Sequence, residues 1–311
     1  MVPAASLHQS FRATPVFVLG LQRSGTTWLA NMLCRHGSCA GVHSEDHGGI
    51  HESLFFSHFS RSYGDLMNDS NFARFVHDFA KSDYFLLSKV SKSWLADRPH
   101  RTYGTIFQEL MERVALDQGA THWVEKSPHH SLLCEDLVEL YPRARFVCLT
   151  REPAALIPSL LNAPWRRKTR YPLRALSIVR SCMTYQLYRD HLERFAKRHA
   201  NAILLRYEDL SADCEHELRK LCSFLGLTYN DDMLHAPFER NSSFRSTRHR
   251  ATAMSLQDNL YIRKSLAMLR WAPPNLLHLA NRVKLSVRPE PWPDWVWRRC
   301  PLESAPPAVS A

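Results

Sequence analysis

Short apolar runs rich in β-branched and aromatic residues recur along the chain, and each ends where charged residues begin. Pro15–Gly20, His122–Glu125, Arg145–Thr150 and Ala202–Tyr207 read as strands of a buried sheet. Between them apolar residues fall at helical spacing over Thr26–His36, His100–Asp117, Ser131–Leu140, Leu173–Arg198 and Cys214–Leu225. This alternation predicts an α/β protein, a central parallel sheet flanked by helices. The segment Gly41–Asp97 breaks the pattern with Gly48-Gly49, several histidines and aromatic-rich helical fragments. It is expected to be an insertion over the active edge of the sheet that forms lids and substrate loops. Beyond Arg288 the chain turns proline- and tryptophan-rich, which predicts a packed extended tail, with residues 301–311 disordered.

Composition adds limits. The 311 residues are enough for one large core, expected over residues 1–300, and 45% hydrophobic with 23% charged residues is ordinary globular usage. The longest apolar stretches, such as Phe146–Leu149, are far short of the ~18 residues of a membrane span. No cationic and apolar leader precedes the first strand, so a cytoplasmic protein is expected. The cysteines at 34, 39, 134, 148, 182, 214, 222 and 300 show no C-x-x-C pair or metal-ligand spacing, and are expected to be reduced packing residues with no metal bound. The net charge of +10 is spread along the chain, which favours an anionic ligand in a basic cleft. The basic cluster Arg166–Arg170 has only Trp165 and Tyr171 at its margins, too little stacking surface for a nucleic-acid module.

In open parallel sheets ligands gather at the carboxyl ends of the strands. There the chain offers Arg23-Ser24-Gly25-Thr26-Thr27 after the first strand, Lys126-Ser127-Pro128 after the second, Arg151-Glu152-Pro153 after the third and Glu208-Asp209 after the fourth. Gly20 and Gly25 have the spacing of a nucleotide P-loop, but Thr26 stands where the phosphate-binding lysine belongs. The helix that starts at the loop aims its first N–H groups at whatever anion the loop holds.

Gly20–Leu29 resembles the 5′-phosphosulfate loop of sulfotransferases that use 3′-phosphoadenosine 5′-phosphosulfate (PAPS). Val124–Pro128, Arg145–Pro153 with Ser159, and Arg206–Leu210 with Phe224-Leu225-Gly226 resemble the family's later motifs in the family's order, over about residues 15 to 226. The resemblance implies the P-loop-like sulfotransferase fold, in its bacterial, Golgi and tyrosyl-protein branch, and PAPS as co-substrate. It implies that Arg23, Ser24, Gly25, Thr26, Thr27 and Trp28 hold the 5′-phosphosulfate and that Arg151 and Ser159 hold the 3′-phosphate. Tyr207 would touch the nucleotide, and Arg248, with Arg245, would close over the 3′-phosphate. A donor ending in sulfate has no γ-phosphate for a lysine to hold. Arg23 at the loop mouth and Lys126 would instead neutralise charge on the transferring group and the leaving phosphate.

An acceptor hydroxyl must lose its proton as it attacks. Glu45 falls where relatives present a catalytic glutamate and is the expected base; His43, Asp46, His47, His129 and His130 are its rivals. The expected activity is sulfuryl transfer to a hydroxyl, or an amine, of a small-molecule, glycan or lipid acceptor. A small-molecule kinase is the enzyme alternative, which the threonine at position 26 opposes, and a non-catalytic nucleotide-binding protein is the other.

Overall fold

The computed structural model describes residues 12–163, 170–235, 254–287 and 290–310. Five parallel strands run β2 (Cys39–Ala40), β5 (His122–Glu125), β1 (Thr14–Gly20), β6 (Arg145–Thr150) and β7 (Ala202–Arg206) across the sheet. Val16, Phe17, Val18 and Leu19 of β1 are all inaccessible to solvent, as a strand buried on both faces requires. Because β1 pairs with β5 on one side and β6 on the other, their three carboxyl ends open side by side. The loop after β1, Lys126 and Arg151 therefore share one edge of the sheet. The expected α/β architecture is observed, and the strand boundaries shift by no more than a residue.

One face of the sheet packs against an aromatic core that the insertion builds. Phe55, Phe59, Phe75 and Phe79 are fully buried and meet Phe107 and Trp123 from the body of the protein. Phe55 lies 4.7 Å from Phe107, ring to ring. Much of the 41–97 segment thus contributes to the core. Its helix Asp69–Phe79 turns Phe72, Phe75, Val76 and Phe79 inward at helical spacing.

The C-terminal residues 290–310 wrap this core. Trp292 and Trp297 pack on Phe59 at 4.9 and 5.9 Å, and the Trp297 indole donates to the Asp78 carbonyl at 2.9 Å. Asp83 N–H donates to Val296 O at 2.7 Å. The strap continues through the stretch expected to be disordered, where Val309 is buried and Ser310 N–H donates to Arg61 O at 3.0 Å. Among the described residues no helix is long and apolar enough to cross a membrane.

Candidate active site

The loop after β1 turns tightly. Ser24 N–H donates to Leu21 O at 3.0 Å, Arg23 takes φ 74° and Gly25 φ 101°, and helix α1 (Thr26–Leu33) follows. No side chain caps α1, so the N–H groups of its first turn stay available to an anion. A Cβ on Gly25 would come within 2.5 Å of the Tyr207 ring, and one on Gly20 within 2.6 Å of Ser24 Oγ, so both positions need glycine for close approach. Ser24 and Thr26 are buried, while Thr27 and Trp28 are partly exposed. Tyr207 is buried against the loop, with the Arg151 guanidinium 4.2 Å above its ring and Trp28 5.7 Å away.

Two arginines meet here. Arg23 Nε donates to Ser159 Oγ at 3.0 Å, and Arg151 Nη1 donates to the Arg23 carbonyl at 2.8 Å. Burial, together with the like charge of Arg151, pulls the Arg23 guanidinium down to about 10. An anion bound between them would relieve that crowding. Ser24 Oγ and Arg151 Nε are buried without a hydrogen-bond partner. Such orphans are uncommon unless a ligand completes them, so the residues present fit a bound phosphate or sulfate.

Lys126 sits at the end of β5, 2% exposed, and its ammonium donates to Glu52 Oε1 at 2.9 Å. Burial would raise the Glu52 carboxyl, but Lys126, His129 and His47 outweigh it and hold Glu52 below the usual carboxylate range. Glu52 arrives by a pinned path. Gly48 and Gly49 turn the hairpin β3 (His43–Ser44) to β4 (Gly49–Ile50), with Asn31 of α1 donating to Gly48 O at 2.8 Å and accepting from Ile50 N at 2.9 Å. Ser53 then donates to Glu125 Oε1 at 2.8 Å and its N–H to Ser127 Oγ at 3.0 Å. Glu52, between these two anchors, is carried to Lys126.

Glu45 lies elsewhere. It opens an exposed turn on the hairpin, and Asp46 beside it pairs with Arg299 at 2.8 Å. His43 is exposed on the same hairpin. His47 packs 4.0 Å from His51 and 4.7 Å from Trp295, and burial, with the charge of Lys126, lowers it to about 4. His130 is in the core: its Nε2 accepts from Phe56 N–H at 3.1 Å, leaving Nδ1 to donate to Glu125 at 2.9 Å. His129 remains at the loop, 3.2 Å from the Gln22 amide. The carboxylate beside Lys126 is Glu52, seven residues past Glu45, the expected base. Periodicity could not find it, because its position depends on Asn31 and Ser127 gripping the chain on either side. Arg248 and Arg245 fall outside the described residues.

A family model described as the sulfotransferase family matches residues 15–231. The omega-hydroxy-beta-dihydromenaquinone-9 sulfotransferases of Mycobacterium bovis and Mycobacterium tuberculosis are each 33% identical to the chain over 111 residues. That match spans 33% of this chain and 28% of each relative, less than a third of their length. Among solved structures, the sulfotransferase domain of the Synechococcus olefin synthase is similar in fold, with a TM-score of 0.52 at 15% identity over 86% of this chain and 98% of that domain.

Proposed function

The chain belongs to the sulfotransferase family, and from that premise we propose that it transfers a sulfuryl group from PAPS to an acceptor hydroxyl by in-line displacement. The observation that carries this reading is the delivery of a cation by each of three adjacent strand ends: Arg23 after β1, Lys126 after β5 and Arg151 after β6. Phosphate and sulfuryl oxygens bear the charge that such a set neutralises.

The loop N–H groups, Ser24, Thr26 and Thr27 hold the 5′-phosphosulfate, and Arg151 with Ser159 takes the 3′-phosphate. Tyr207 and Trp28 flank the nucleotide. Glu52 accepts the proton of the acceptor hydroxyl as its oxygen bonds to sulfur. The bond from sulfur to the bridging oxygen breaks, and Lys126 and Arg23 neutralise the charge that collects on the leaving phosphate. Engagement of Lys126 by the donor frees Glu52 from its partner and makes it a better base at the moment it is needed. The mycobacterial relatives are named for an omega-hydroxy acceptor, and a hydroxyl on a lipid or other small molecule is the acceptor class proposed here.

The decisive experiment pairs thermal shift with transfer. The protein should be stabilised by 3′,5′-bisphosphoadenosine and not by ATP with magnesium, and should pass radiolabelled sulfate from PAPS to a hydroxylated acceptor pool. Stabilisation by ATP-magnesium alone would point to a kinase, and donor binding with no transfer to any acceptor would point to a protein that binds without turnover.

A further inference from the structure

We infer that His58, His129 and Glu290 form a divalent-metal site of the two-imidazole, one-carboxylate kind that takes zinc, and that the metal ties the C-terminal strap to the core beside Lys126. One donor atom from each of the three lies within 4.8 Å of the other two. His58 is fully buried and His129 is 15% exposed at its side chain, so two of the three donors lie beneath the surface, with Glu290, 39% exposed, closing the group from outside.

The hydrogen bonds around the two rings say which nitrogens are left for a metal. Ser57 Oγ meets Nδ1 of His58 at 2.9 Å, and the Gln22 side-chain amide lies 3.2 Å from Nε2 of His129, which it would hold through its oxygen once turned over. The opposite nitrogens, Nε2 of His58 and Nδ1 of His129, are buried and lack a hydrogen bond of acceptable geometry. Ligand histidines in metal sites are held in this way, with an outer partner on one nitrogen and the metal on the other. Glu290 Oε1 lies 2.9 Å from His129 Nδ1 as an ion pair, and a metal would take the place of the proton between them.

Zinc with ligands at about 2.0–2.1 Å in a tetrahedron separates its donors by about 3.4 Å, so side-chain rotation alone would close the set. Two imidazoles and one carboxylate leave a fourth position for water. The third ligand lies at the start of the strap, just before Trp292, whose ring packs 5.0 Å from His58. A metal would therefore fasten the last segment of the chain to the helix that follows Lys126. The inference does not depend on sulfuryl transfer.

The test uses the full chain, stripped with chelator and then dialysed against zinc. Elemental analysis should find a single equivalent retained, and X-ray absorption should show nitrogen and oxygen donors with imidazole scattering and no sulfur. His58→Gln and Glu290→Gln should each weaken zinc affinity tenfold or more, with circular dichroism reporting whether the fold is kept. Absence of zinc from the wild type, sulfur in its shell, or unchanged affinity in folded variants would overturn the site. Should a variant fail to fold, the wild-type spectrum decides alone.

Discussion

Arg151 ties the loop to β6 through the Arg23 carbonyl while one of its nitrogens stays unbonded. Arg151→Ala should weaken 3′,5′-bisphosphoadenosine binding by about 2 kcal/mol, the scale of a charge-assisted contact; unchanged affinity by calorimetry would remove the residue from the donor site. Glu52→Gln should lower kcat about 100-fold with donor binding retained, as loss of a general base does, whereas Glu45→Gln should turn over at nearly the wild-type rate. Because Lys126 and its neighbours hold Glu52 low in the free protein, the acid limb of kcat/KM should lie below the ordinary carboxylate value of about 4.3. The limb of kcat should sit higher, since the donor draws Lys126 away. A limb near pH 6.5 in both profiles would assign the proton to an imidazole instead. At this scale the sequence marks Arg23, Lys126, Arg151 and Ser159 because each stands just past a strand or one helix further on. It does not mark Glu52 as the partner of Lys126, because a hairpin and its anchors intervene.

The loop and α1 act as one element. Gly25 takes φ 101° under the Tyr207 ring, so Gly25→Ala should cost about 1–2 kcal/mol in backbone strain alone. It should also displace Tyr207, with donor affinity falling more than stability does; equilibrium unfolding and calorimetry on the same variant separate the two. The strap is the second element to test. Trp297 is 9% exposed and bonded to the Asp78 carbonyl, so Trp297→Ala should destabilise by about 3 kcal/mol, seen as a lower urea midpoint. A change below ~0.5 kcal/mol would mean that the strap adds little to the core. Helices Leu173–Arg198 and Cys214–Leu225 were legible to the residue because long amphipathic periods are local. The two-residue strands β2, β3 and β4 were not, since so short a run has no period and exists only through its partners.

Across the whole molecule, Glu125 joins the sheet to the insertion, accepting from Ser53, Ser127 and His130 while 1% exposed. Glu125→Ala leaves three buried donors without an acceptor and should cost about 3 kcal/mol, at ~1 kcal/mol for each. Burial alone would raise the Glu125 carboxyl, but His130 and the hydrogen bonds from His130, Ser127 and Ser53 outweigh it and depress it. A depressed carboxylate stabilises the fold fully above its unfolded pKa of about 4.3 and loses that contribution as pH falls through the folded value. Wild type should thus lose stability in acid more steeply than Glu125→Ala, and parallel curves would exclude the linkage. The amino-acid sequence by itself determined the strand and helix alternation, the parallel sheet and the loop with threonine in place of lysine. The alternation and the loop depend on residues within one or two turns of each other, and the alternation implies the parallel sheet. Only the tertiary structure decided that Glu52 meets Lys126, that the 41–97 segment builds core, and that Glu290 reaches His129. Each of those contacts joins residues tens to more than a hundred positions apart. Such contacts are fixed by close packing and by the need to pair buried polar groups, which no local period records.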